Sequence, residues 1–302
     1  MLDNVGNQKI GFVILHYNHT EITIKCVDSI LGLEQNDRVE IVIVDNNSPN
    51  GSGERLKKYY CDKRVKVIIL DRNYGFSKAN NTGYDYLVKN SSCKYIVIAN
   101  NDILFIQKDM IKLLEKQYSK RKFYVAGPDV FSLYKDQHQS PLAVAPRTEK
   151  DTQDLIDINK KKLRQVKREA FLHWLWLKVN RTKIYEIYRN KTSEHRKGKN
   201  VKWREEQDNI VLHGSCLFFS EKFLELNVYP FQPETFFYYE EDILADRCLK
   251  YNWKISYIPQ IHVNHLEGAS TGQKGYYKKM VFRYTNIINS GTVYLKYLRG
   301  EK

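Results

Sequence analysis

Ile96-Val97-Ile98-Ala99-Asn100-Asn101-Asp102 is the stretch on which the reading of this sequence turns. Its β-branched run has the composition of a buried strand, and it stops at three small polar residues. In an open α/β sheet, ligands bind just beyond the carboxyl ends of the strands. A carboxylate there, flanked by amides, suits a divalent cation that keeps some waters and reaches substrate phosphates. An Asx turn entering the next helix would use the same residues with no ligand, so the neighbouring segments must decide.

They repeat the pattern. Lys9 to Leu15 predicts a first strand ending at His16-Tyr17-Asn18, followed by a helix over Glu21 to Leu31 with Thr20 as its cap. Glu40 to Val44 predicts a second buried strand, ending at Asp45-Asn46-Asn47-Ser48, and a helix around Glu54 to Tyr60. Val65 to Leu70 predicts a third, followed by Asn73-Tyr74-Gly75-Phe76 and a helix from about Ser77 to Lys89. Strand and helix alternate with connections long enough for parallel crossovers. The expected fold class is therefore α/β, a doubly wound, mostly parallel sheet. Three of its strands end in polar clusters on what should be one edge, the place for a nucleotide. Two other motifs are excluded. H-Y-N-H-T after the first strand lacks the dinucleotide-binding glycines. The loop from Asp45 has Pro49 and Leu56 where a calcium loop needs oxygen ligands.

The chain has 302 residues, enough for a large core with an appendage. Its polar N-terminus and the absence of a long apolar run predict neither signal peptide nor membrane span. Five scattered cysteines, none in a C-x-x-C pair, argue against a zinc site or a disulfide framework and for a reducing, cytoplasmic setting. The net charge of +14 is concentrated. Residues 151–210 hold 16 Lys/Arg against 9 Asp/Glu, residues 271–302 hold 7 against 1, and the rest is nearly balanced. Two basic segments on a neutral body point to an anionic surface or polymer rather than to a nucleic-acid clamp.

After a further strand at Phe123-Tyr124-Val125-Ala126, residues 150–205 break the rhythm with a basic helical insertion. Leu163, Val166, Ala170, Phe171, Trp174 and Leu177 share one helical face, among Lys and Arg. Such a face packs on its own protein or lies at the headgroup level of an anionic membrane. Val211 to Ser220 and Ile255 to Ile258 predict further strands, and Gly272 to Leu298 one or two basic helices on the outside.

Glu240-Glu241-Asp242 follows four aromatic residues, Phe236 to Tyr239. An acidic helix N-terminus accounts for one of these carboxylates through the helix dipole. Aromatic walls around the others would desolvate a carboxylate and raise its pKa toward the range of a general base. His265 is a candidate for metal or phosphate contact, and His213, inside an apolar strand, a weaker one. A nucleotide crevice, a metal-capable Asp102 and a shielded acid are together the ingredients of transfer of a group activated as a nucleotide diphosphate. A glycoside hydrolase would need carboxylates on opposite sides of a sugar, which adjacent residues seldom provide. A non-catalytic polymer-binding protein lacks any nucleic-acid motif here.

Six segments in order resemble the family-2 glycosyltransferases, inverting enzymes of the GT-A fold. They are I-L-H-Y-N, I-V-I-V-D-N-N-S, N-Y-G-F-S-K-A-N-N-T-G, I-A-N-N-D in place of D-x-D, F-F-Y-Y-E-E-D-I-L-A-D-R, and H-L-E-G-A-S. The resemblance covers residues 10 to about 270. It implies a GT-A domain over 1–270, with the insertion at about 150–205 and a basic C-terminal helical extension over 271–302. It also implies that Tyr17 and Asp45 hold base and ribose, with Asn73, Gly75, Asn80 and Asn101 completing the nucleotide-sugar site. Asp102 and His265 would hold Mg2+ or Mn2+ and the diphosphate. Asp242 would be the base, in preference to the adjacent Glu241. Asn100 stands where the first aspartate of D-x-D is expected. The donor implied is a UDP- or dTDP-sugar, and the acceptor a glycan or a polyprenyl-diphosphate-linked sugar. The setting implied is bacterial surface polysaccharide (capsule or O-antigen, the rhamnosyltransferase-like branch), made on the inner face of the cell membrane by a peripheral protein.

Overall fold

A computed structural model describes residues 8–179, 202–267 and 276–301. The strands are β1 (Lys9–His16), β2 (Val39–Asp45), β3 (Val65–Ile69), β4 (Cys93–Asn100), β5 (Ile103–Leu104), β6 (Val125–Ser132), β7 (Gln137–His138), β8 (Gln207–Asp208), β9 (Cys216–Ser220) and β10 (Ile255–His265). The helices are α1 (Thr20–Leu31), α2 (Ser52–Tyr59), α3 (Gly75–Asn90), α4 (Met110–Arg121), α5 (Glu149–Val179), α6 (Glu221–Leu224), α7 (Glu240–Lys250) and α8 (Tyr276–Arg299).

One mixed sheet runs β3-β2-β1-β4-β9-β6-β10-β5, with β7 beside β6 and β8 beside β10. The first four strands in that order are parallel to their neighbours, as the alternation predicts. β9 runs antiparallel to both β4 and β6, and so joins the nucleotide-type half to the rest. Ile10, Phe12 and Ile14 of β1 face one hydrophobic cluster with α1, Leu56 of α2 and α4. Val13, Val42 and Val44 face a second cluster with α3, α6 and α7. With both faces covered, the strands can be apolar throughout, which is why their sequences lack alternation.

Three details depart from the sequence expectation. His19, not Thr20, occupies the N-cap of α1, and Thr20 lies in the first turn. β10 extends to His265, well past the strand expected to end at Ile258, because it pairs with β6 on both sides of an irregularity. The C-terminal segment is one helix and is not on the outside: Tyr284, Ile287, Tyr294 and Leu295 of α8 are buried. Ile287 and Tyr294 pack with Tyr239 and Ile243 in a third cluster, to which Leu155 of α5 adds. α5 begins with a reciprocal cap. Thr148 Oγ1 accepts from the Asp151 N–H (3.1 Å) while Asp151 Oδ2 accepts from the Thr148 N–H (3.2 Å), a capping box with Asp as the acid. Residues 180–201 of the insertion, and the Gly268-Ala269-Ser270 end of the last motif, lie outside the described residues.

Candidate active site

The carboxyl ends of β1, β2 and β4 bring Tyr17, Asp45 and Asn100-Asn101-Asp102 to one edge. β9 is antiparallel, so the segment before it, His213-Gly214-Ser215, arrives at the same edge; the Asn100 N–H donates to the Ser215 carbonyl at 2.9 Å. A buried relay binds the floor together. Asn101 Nδ2 donates to Thr23 Oγ1 (2.8 Å), Thr23 meets His16 Nδ1 (2.6 Å), and His16 Nε2 meets Ser52 Oγ (2.8 Å). Burial, with the charges of His19 and Arg55, pulls the His16 pKa down to about 4, so the ring is neutral at pH 7.

Asp45 is buried on that floor, 3.9 Å from His16 Nε2. Burial pushes its carboxyl pKa up, and hydrogen bonds from the Ser48 hydroxyl and N–H oppose the shift. Tyr17 is half-buried at the rim. Asn73 is exposed, its Oδ1 accepting from the Gly75 N–H at 2.9 Å. Gly75 has φ +77°, and a Cβ there would come within 2.4 Å of the Phe236 carbonyl oxygen. Glycine is therefore required on two counts, conformation and close approach. Asn80 of α3 has an Oδ1 that is buried without a hydrogen-bond partner. It is wholly buried, with Nδ2 donating to the Phe76 carbonyl within its own helix, and its neighbour Asn81 ties α3 to Phe231 through both amide atoms.

Asp102 and His265 meet. His265 Nε2 lies 3.2 Å from Asp102 Oδ1, an oxygen buried without a hydrogen-bond partner. Gln139 Oε1 sits 2.7 Å from His265 Nδ1. The amide oxygen accepts from Nδ1–H, and in the neutral ring this turns the Nε2 lone pair toward Asp102, the tautomer a metal ligand needs. Among the described residues no cluster of three or more His, Cys, Asp or Glu has metal-binding geometry. Asp102 and His265 would supply two ligands to a cation, with the remaining ligands from water and substrate phosphate.

The three consecutive carboxylates at the start of α7 have three different surroundings. Glu240 is buried with Oε1 lacking a hydrogen-bond partner, and burial, followed by the charge of Glu241, holds its pKa well above the usual carboxylate range. Asp242 is 1 % exposed and paired with Arg147, whose guanidinium and N–H both donate to it. Glu241 alone is partly exposed, and its carboxylate lies against Gly214, where a Cβ would come within 2.9 Å of Oε1. His213, the residue before that glycine, has its ring 5.9 Å from that of His265. Sequence reasoning missed Arg147, Gln139 and the Gly214 contact, because each partner lies far along the chain. Arg147 is held in turn by Tyr294 of α8, whose hydroxyl donates to the Arg147 carbonyl at 3.0 Å.

A strand-end edge that carries an Asp–His pair, with an acid from a later helix beside it, is the arrangement expected of the GT-A fold. The family profile described as Glycosyl transferase family 2 matches residues 12–188, and the chain belongs to that family. It is 30% identical over 127 residues to Glycosyltransferase GlyA of Streptococcus pneumoniae serotype 4, covering 42% of this chain and 17% of that protein. It is 24% identical over 178 residues to the uncharacterized glycosyltransferase EpsJ of Bacillus subtilis, covering 59% of this chain and 49% of that one. Among solved structures, GalNAc-T7 with UDP, GalNAc and Mn2+ aligns with 98% of this chain and 51% of its own, at TM-score 0.56 and 14% identity. The alignments thus span about half or less of these relatives.

Proposed function

We propose that this glycosyltransferase moves a sugar with inversion from a UDP- or dTDP-sugar to a hydroxyl of a glycan or polyprenyl-diphosphate-linked acceptor, in bacterial surface-polysaccharide synthesis. The observation that carries the proposal is the sorting of the acidic triplet. Of three adjacent carboxylates, Glu240 is buried with no partner on Oε1 and Asp242 is buried against Arg147, while Glu241 is partly exposed beside the strand-end edge. The proton acceptor is therefore Glu241, and Asp242, preferred on sequence, holds the loop that precedes α5 through its pair with Arg147. UDP and Mn2+ accompany the GalNAc-T7 structure, which supports a nucleotide-sugar donor and a divalent cation.

In this reading Tyr17 and the loop from Asp45 to Ser52 seat the base and ribose, with Asp45 as their floor. Asn73 and Gly75 shape the far wall, and Asn101 is fixed by Thr23 at the diphosphate. Asp102 and His265 would hold Mg2+ or Mn2+, which neutralises charge building on the departing diphosphate. The acceptor oxygen bonds to the anomeric carbon from the face opposite the diphosphate. The anomeric C–O bond breaks with its electron pair going to the nucleoside diphosphate, and the acceptor proton passes to Glu241. Alignment of the two substrates supplies the rest.

A thermal-shift screen of UDP- and dTDP-sugars with and without Mn2+ or Mg2+ tests the donor half. At least one sugar raises the melting temperature, and Asp102→Ala loses the metal-dependent part. No shift with any nucleotide sugar would overturn the proposal.

A further inference from the structure

α5 is 31 residues long, about 46 Å at the rise of an α-helix. Its buried positions Thr152, Ile156, Asn159 and Val166, with half-buried Leu163 between the last two, recur at alternating spacings of four and three. That is a seam of coiled-coil type, as expected of a helix lying along α8. Carried on along the sequence, the same spacing next reaches numbers 170 and 173. Phe171 and Trp174 each fall one residue past it, about 100° around the helix. They are 57% and 49% exposed, and their rings stack on one another with centroids 6.0 Å apart. Lys160, Lys161, Arg164 and Arg168 are exposed on the preceding turns, and residues 160–179 hold seven Lys/Arg against one Asp/Glu.

We propose that the C-terminal half of α5 is an interaction surface for an anionic lipid bilayer, with Phe171 and Trp174 entering the headgroup layer and the basic side chains meeting lipid phosphates. Exposed aromatic side chains are disfavoured in water, and at a membrane interface both rings would be buried while the indole N–H of Trp174 stays hydrated. Lys and Arg lay their aliphatic stems along the same boundary and keep their charges on the phosphates. The charge decides between occupants: a second copy of this chain would bring an equally basic surface to the same place, while an anionic bilayer is complementary to it. α8 is the weaker candidate despite its charge, because among its described residues Tyr277, 40% exposed, is the one large apolar side chain on the outside. The surface lies on the insertion and does not depend on how donor or acceptor is bound.

The test is co-sedimentation of the full chain with vesicles of phosphatidylcholine alone or of equal parts phosphatidylcholine and phosphatidylglycerol, at physiological salt, alongside analytical ultracentrifugation without lipid. Binding is expected to the anionic vesicles only, with a blue shift of tryptophan emission. Phe171→Ala/Trp174→Ala and Arg164→Glu/Arg168→Glu should each weaken it about tenfold or more, whereas Lys278→Glu/Lys279→Glu on α8 should not. A thermal melt unchanged from wild type shows that the variants are folded. Failure to bind anionic vesicles, equal binding to neutral ones, or undiminished binding of the aromatic variant overturns the proposal. So does a lipid-free dimer that the aromatic variant abolishes, since the pair would then be buried against a second copy.

Discussion

The halves of this molecule on either side of β5 are built on different principles. In the first, the side chains at the site come from strand ends and the turns that follow them, and Tyr17, Asp45 and Asn101 are placed by short segments within one parallel sheet. In the second, placement comes from contacts between distant positions. Arg147 meets Asp242 95 residues away and is itself held by Tyr294, 147 residues further on. The proposed donor side is thus placed chiefly by the strand ends of one sheet and the proposed acceptor side by side-chain contacts between distant positions, and substitutions should behave differently in the two.

The largest expected effect lies on the acceptor side. Glu241→Gln should lower turnover by about 10²–10⁴-fold, the usual worth of a general base, while leaving donor-induced thermal stabilisation intact. Nucleoside-diphosphate release in the presence of acceptor reads the first and a melt with donor reads the second. If Glu241→Gln is active and Asp242→Asn is dead yet normally stable, the two roles are reversed. Asp242→Asn should instead act through stability, because it leaves Arg147 beside a neutral amide. Breaking a buried ion pair costs about 3 kcal/mol, visible as a lowered denaturation midpoint, and Arg147→Ala should produce a comparable loss.

Gly75→Ala probes the seam between the halves. Positive φ and the approach to Phe236 together should cost roughly 1–3 kcal/mol. The same substitution at Gly51 has positive φ but an open surrounding, with its nearest contact at 3.8 Å, and should cost less.

The smallest effects are in pH dependence, and they have opposite signs in the two halves. His16 has its pKa depressed to about 4 by burial, so the unfolded chain binds the extra proton between that value and about 6.5. Its contribution to stability is present above pH 6.5 and is lost as pH falls toward 4. Glu240 has its pKa raised by burial, so the folded chain binds the extra proton. Its contribution is present below the ordinary Glu value of about 4.3 and is lost as pH rises above it. Glu240→Gln should therefore make the slope of stability against pH more positive just above that value, and His16→Gln should make it less positive between 4 and 6.5. Urea melts across that range measure both.

This contrast also explains what could be read from the sequence. The four parallel strands were legible because apolar runs, polar terminators and helical spacing are all short-range signals. Asp102 and His265 could be named, although their meeting depends on β10 running on past Ile258 to pair with β5. For Asn80 the motif gives the residue type but not its burial, which depends on the packing of α3. Arg147 carried no local signal beyond preceding a capping box, and its partner is identified only by the fold. The C-terminal helix was judged by its charge, though Tyr284, Ile287, Gly291 and Tyr294 follow the three-and-four spacing of a packed face.

The position of β9 has a consequence for cutting the gene. This strand from the second half fills the gap between β4 and β6, so a fragment ending at residue 188, where the family match stops, would present two unsatisfied strand borders in the middle of its sheet. Such borders recruit other chains. The unit recognised by similarity is therefore smaller than the unit that folds, and a shortened version expressed alone should precipitate rather than yield a minimal enzyme.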